Sequence, residues 1–184
     1  QSVQSFLRLY EKILKLEHMG KNKIWTSLLK NSFAPMLMGK FDYVIGNPPW
    51  INWDTLPEFY RNTTKDLWGR YGLLEQTQGI GLGKIKRDLS MLFVARCLDL
   101  YAKEDGRLSF LIPFTTYKTQ AGAGFRKYLA GKTAVVKIHD LVELHPFEGA
   151  LTRTSLLSIK KGHTQFPVSC LMWSNPRRTP MPQE

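Results

Sequence analysis

The feature that most constrains this chain is the ten-residue run Phe41-Asp-Tyr-Val-Ile-Gly-Asn-Pro-Pro-Trp50. Its first six residues are mostly apolar and β-prone, and two prolines then stop the strand, because proline has no N–H to give to a sheet ladder. The run predicts a short buried strand over 41–46 that ends abruptly in a stiff loop. The rest of the chain supplies partners for such a strand. Leu89 to Tyr101 sets Met91, Val94, Cys97, Leu98 and Tyr101 on one helical face. Asp105-Gly106 turns the chain into a strand over 107–113, and Gly122 and Gly124 precede a helix carrying Phe125, Tyr128 and Leu129. Strands are predicted at 134–144 and 154–159. Strand, helix, strand, helix, strand, strand is an α/β pattern. It implies a mostly parallel sheet whose last two strands are close enough to form an antiparallel pair.

Around this unit, 1–40 reads as a helical lead-in: Val3, Phe6, Leu7, Tyr10, Ile13 and Leu14 recur at helical spacing, and a second stretch over 24–38 carries Trp25, Leu28, Leu29 and Phe33. The main unit is 41–162. It includes a partly helical excursion over the surface at 51–87, with Trp53, Trp68 and three alternate glycines at 79, 81 and 83. Residues 163–184 read as the start of a downstream segment. The first residue is Gln1 and the last stretch is rich in Pro and Arg, so both ends are expected to be cuts through something longer.

Charge narrows the partners. Twenty-six Lys and Arg against 15 Asp and Glu leave +11, with a pI near 9.7, which favours a polyanion such as nucleic acid through steering and counterion release. Lys84, Lys86 and Arg87 are the nearest phosphate-contact candidates, against the plainer account of a solvated basic face. Trp53, Trp68 and Tyr71 fit packing of the excursion better than contact with DNA. Cys97 and Cys170 are far apart, and His139 and His145 lack ligand spacing, so neither a disulfide framework nor a metal site is expected. Asp140 and Glu143 read as structural. No apolar run approaches the ~20 residues of a membrane span and no signal peptide opens the chain, so a cytoplasmic location without membrane partners is expected.

The chemistry concentrates at Asn47-Pro48-Pro49-Trp50, because ligands of open α/β sheets bind outside the carboxyl ends of the strands. Asn47 carries a neutral amide acceptor. The prolines hold the Pro48 carbonyl stiffly, so two acceptors from adjacent residues can point at one spot. An exocyclic amino group offers two N–H donors to such a pair. An aromatic amine is a poor nucleophile because its lone pair is shared with the ring. Two preorganised acceptors favour a pyramidal nitrogen and stabilise the positive charge that grows as the nitrogen attacks. Trp50 offers a flat face for stacking, worth about 1–3 kcal/mol per base.

The run from Phe41 to Trp50 resembles the catalytic motif of class I amino-methyltransferases that use S-adenosylmethionine. It is most similar to the large bacterial adenine-N6 DNA methyltransferases of restriction–modification systems. The similarity continues in order through Asp88-Leu-Ser-Met-Leu-Phe93, Gly106 to Pro113, Phe125 to Leu129, and Pro146-Phe147 followed by Thr154 to Ile159. It implies the second half of a Rossmann-like methyltransferase sheet and methyl transfer to the N6 of an adenine flipped out of DNA. Asn47, Pro48, Pro49 and Trp50 would be catalytic, Trp50 and Phe147 would stack on the two faces of the base, and Asp88 and Leu89 would lie beside the donor. The family's glycine-containing donor loop belongs upstream of the catalytic strand and is not visible here. Gly79 to Lys84 follows no apolar strand and lies on the wrong side of the motif, so it reads as an ordinary loop. The fragment alone is therefore expected to be inactive and to depend on the remainder of its parent polypeptide. Cytosine N4, an RNA guanine or a protein glutamine amide would suit the same loop, and a non-catalytic DNA-binding module is the rival from another class.

Overall fold

A computed structural model of the chain describes residues 38–74, 86–144, 146–147, 153–162 and 165–174, with scattered positions between Arg8 and Pro35. The chain divides into two compact units, Gln1–Gly39 and Lys40–Glu184. In the first, the described residues from Arg8 to His18 are helical and a turn follows at Met19-Gly20. Most of the expected second helix, and Gly79 to Lys84, lie outside the described residues.

The second unit is built on a five-stranded sheet: β1 (Phe41–Gly46), β2 (Ala102–Pro113), β3 (Thr133–Asp140), β4 (Thr154–Lys161) and β5 (Ser169–Met172). Their order is β1-β2-β4-β3-β5. β1 runs parallel to β2, and β3 parallel to β5, while β4 lies antiparallel to both β2 and β3. Four strands thus point one way and β4 alone runs back. This is the mostly parallel sheet with a late antiparallel pair that the strand spacing implied, a partial Rossmann-like methyltransferase sheet. β5 is an addition: four exposed residues past the last anticipated strand.

Among the described residues three helices accompany the strands: α1 (Glu58–Arg70), α2 (Leu89–Tyr101) and α3 (Ala123–Lys132). Alternation in β2 buries Leu108, Phe110 and Ile112, and the antiparallel register sets Leu108 opposite Ile159 and Phe110 opposite Leu157. Against these pack Met91, Val94, Ala95 and Leu98 of α2, Phe125 and Leu129 of α3, and Trp68 of α1. Each buried Val, Leu, Ile, Phe or Met side chain among them stabilises the fold by roughly 1.5–3 kcal/mol. Trp68 is fully buried and meets Trp53 at 5.9 Å, and Tyr71 packs on Tyr128 while donating its hydroxyl to Asp99 at 2.8 Å. The aromatics of the excursion hold it against the core.

The Asp105-Gly106 turn appears as a bulge inside β2. Phe41 pairs with Ala102 but Tyr43 with Arg107, and Asp105 takes a φ of 62°. The extra residues are tied to both neighbouring strands: Lys103 to Asp42 (2.9 Å), Glu104 to Lys161 (3.1 Å) and Asp105 to Lys160 (2.9 Å). Such bulges occur where a strand must be re-aimed, and this one sets β2 in register to end beside the loop that follows β1. Among the described residues no helix is long and apolar enough to cross a membrane.

Candidate active site

β1 stops at Gly46, opposite Phe110. A Cβ on Gly46 would sit 3.0 Å from the Phe110 ring, so a larger residue here would require that ring to give by a few tenths of an ångström. Asn47 emerges exposed, Pro48 is buried, Pro49 is exposed and Trp50 is half-buried. Leu111 lies one residue beyond the last β1–β2 pair, and the Trp50 indole N–H donates to its carbonyl at 3.1 Å. The indole takes over where the strand ladder ends, which fixes the plane of its ring. Phe147 meets that ring edge to face, centroids 5.7 Å apart and planes at 85°. Residues nearly a hundred positions apart in the chain thus form one aromatic pair.

The chain leaving Trp50 is clamped to the chain entering α2. Trp53 donates its N–H to the Arg87 carbonyl (2.7 Å), Leu89 donates to the Ile51 carbonyl (2.8 Å), and Asn52 bridges Asp88. Asp88 caps α2 by accepting from the Ser90 N–H at 2.9 Å. Burial pushes its carboxyl above the usual range, and the Ser90 hydrogen bonds only partly offset this. Beneath Trp50 these contacts leave a cavity of about 230 Å³. Asn52, Lys86, Asp88 and Met91 line one side of it, and Pro113 with Thr115, Thr116 and Thr119 of the turn after β2 line the other.

The structure therefore joins Trp50, Phe147, Lys86 and Asp88, all singled out by the sequence. Asn47 and Pro48 sit on the loop above and do not line the cavity, and Leu89 is half-buried outside it. Lys84 lies outside the described residues. Arg87 corrects the sequence reading: it is only 1% exposed and cannot serve as a surface phosphate contact. Pairing of 51–53 with 87–89 turns its side chain inward, where burial lowers its pKa against the pull of Asp54. Its Nε and Nη1 find no partner among the described residues.

The sequence reading missed the turn Phe114–Thr119 and its cations. Arg126 Nη1 donates to the carbonyls of Thr119 (2.8 Å) and Thr116 (3.4 Å). Arg153 forks onto buried Asp140 through Nε (3.2 Å) and Nη2 (2.5 Å). Burial raises the Asp140 carboxyl, yet the Arg153 fork, the Val142 N–H and the charges of Arg153 and Lys118 together hold it below the usual range. A closer sequence reading could have weighed Lys118, Arg126 and Arg153 as a set, but nothing local to any one of them marks it.

The Eco57I restriction-modification methylase family matches residues 3–147 of this chain. The modification methylase CviBIII of Paramecium bursaria Chlorella virus NC1A is 28% identical over 122 residues, 66% of this chain and 27% of that protein. The type II methyltransferase M.XhoI of Xanthomonas vasicola is 28% identical over 149 residues, 79% of this chain and 24% of its own. The chain thus spans about a quarter of the length of these relatives. Among solved structures, the type IIG restriction endonuclease BpuSI superposes with a TM-score of 0.55 at 19% identity, over 78% of this chain and 16% of that one. The DrdV–DNA complex gives 0.53 at 16%, over 72% and 14%. These two share the fold. The order of motifs, the sheet and the extent of the family match lead to one conclusion: the chain belongs to the Eco57I restriction-modification methylase family.

Proposed function

We propose that this chain is the base-accepting half of a DNA adenine-N6 methyltransferase that uses S-adenosylmethionine, acting within a larger polypeptide. The observation that carries the reading is the rigid Asn47–Trp50 loop, its tryptophan pinned to Leu111 and edge-on to Phe147, over a polar cavity at the end of a parallel strand pair. DNA as partner is supported by the +11 charge and by the fold shared with DrdV, which was solved bound to DNA. Adenine N6 lies too deep in a duplex to be reached, so the base would be flipped to the loop. There Asn47 Oδ1 and the Pro48 carbonyl accept the two amino hydrogens and keep the nitrogen lone pair directed at the incoming methyl group. Trp50 and Phe147 now meet edge to face, and one ring must turn face-on before a base can lie between them.

S-adenosylmethionine would supply a methyl group on a sulfonium, which a neutral amine can take as the neutral thioether leaves, the methylated nitrogen then losing one proton. The residues present fit one end of such a molecule. A cavity of about 230 Å³ falls below the ~300–1,000 Å³ of ordinary small-molecule sites. Asp88, partly buried and facing the cavity, would hold an amino or hydroxyl group of the donor. Asp88→Asn keeps the oxygen that accepts from Ser90, so the melting temperature should be preserved. The donor KM should rise about ten- to a hundredfold, the worth of a charge-assisted hydrogen bond. An unchanged donor KM removes Asp88 from the donor site.

The reading is tested by expressing the full-length protein in a methylation-free host and analysing its digested DNA by mass spectrometry. N6-methyladenine is expected. N4-methylcytosine would keep the loop chemistry and change the base. Absence of any methylated base from an expressed, DNA-binding protein would leave a binding module.

A further inference from the structure

We infer that the turn Phe114–Thr119 forms a ledge that binds the DNA backbone, with Lys118 and Arg153 as the groups touching a phosphate; this rests on the reading of the chain as a DNA methyltransferase. Both cations sit on one ring. The Lys118 ammonium lies 4.9 Å from the centroid of Phe114 and the Arg153 guanidinium carbon 4.6 Å. Phe114 is almost fully buried and its backbone N–H donates to the Arg153 carbonyl at 2.8 Å, so the ring is a fixed platform. The cation–π attraction holds each charge in place.

The charges in this cluster do not cancel. Lys118 and Arg153 act on Asp140, Glu143 acts on Arg153, and Arg126 adds a third cation bonded to the same turn. Arg126 is committed to the carbonyls of Thr116 and Thr119 and stiffens the turn. Asp140 engages two of the five N–H donors of Arg153, Nε and one on Nη2, leaving three for an anion on a side chain 36% exposed. Lys118 makes no ion pair among the described residues, so its charge is available to a phosphate oxygen.

Placement decides which anion. Thr115, Thr116 and Thr119 of the same turn wall the cavity under Trp50. A base reaching that cavity brings its own phosphodiester with it, and Lys118, two residues from Thr116, meets the chain where that group must pass. Backbone contacts of this kind set register and carry no sequence information.

Replacing Arg153 by a neutral residue would strand the buried Asp140 carboxylate, so Lys118 bears the test. In the full-length protein, Lys118→Gln should make the slope of log K against log salt shallower by about 0.9 for a labelled DNA duplex. The weakening should be equal across duplex sequences, and the DNA KM should rise with kcat unchanged. Lys118→Arg should restore the slope. A Lys118→Gln protein with the wild-type slope overturns the ledge alone. A wild-type protein whose DNA binding ignores salt, or which binds no DNA, overturns the DNA reading itself.

Discussion

Asn47→Ala should lower methylation by the full-length protein about 10²–10³-fold, a loss of roughly 2.7–4 kcal/mol of transition-state stabilisation. The reasoning starts from the amine. In adenine the N6 lone pair is delocalised, and attack requires that it be drawn back onto nitrogen while positive charge accumulates there. A neutral amide oxygen held against one amino hydrogen favours that change and interacts more strongly as the charge grows. The alanine variant removes one of two acceptors, so the loss should fall on kcat. Asn47 is exposed, and truncating an exposed side chain costs the fold no more than about 0.5 kcal/mol. Melting temperature and DNA affinity should therefore stay near wild type. Single-turnover methylation beside a DNA-binding titration separates the two effects, and near-normal turnover in the variant would remove Asn47 from the reaction.

How much of this was legible follows from which contacts are local. β1 and the loop after it could be read because an apolar run and two prolines sit side by side in the chain, but the burial expected of the strand is not found, four of its six residues being exposed. β2 and β4 followed from alternation, since Leu108, Phe110 and Ile112 bury one face and Leu157 and Ile159 meet it. α1 blurred into an excursion because Asn62, Thr63 and Thr64 are weak helix formers and only Trp68 of its residues is buried. β5 escaped because four exposed residues carry almost no pattern; Trp173 secures its end by stacking on His139 and donating to it at 3.1 Å. Arg87 looked like a surface cation because its burial depends on pairing with a segment more than thirty residues earlier. Lys118 and Arg153 meet on Phe114 for a similar reason, across 35 positions that only the sheet brings together. Local chemistry was readable at the loop, and the walls around it were tertiary.

Gly122→Ala, in the turn just before α3, should destabilise the protein by about 3 kcal/mol, at the upper end of overpacking costs. The Cβ would collide with the carbonyl oxygen of Thr116, which is backbone and cannot rotate away, and would also crowd the Arg126 guanidinium at 3.2 Å. Relief requires the whole turn to move. That turn carries Thr115, Thr116 and Thr119 into the cavity beneath Trp50, and its carbonyls hold Arg126. Displacing it should therefore reduce methylation even at a temperature where the variant is folded. Gly131, near the end of α3, provides the contrast, because nothing lies within 4 Å of a Cβ there. Gly131→Ala should stabilise the protein by up to about 1 kcal/mol through helix propensity and leave activity alone. Denaturant melts of the two variants, with activity assayed well below each midpoint, decide the matter. If Gly122→Ala melts and methylates like Gly131→Ala, the turn does not need the close approach, and the wall of the cavity is not set by it.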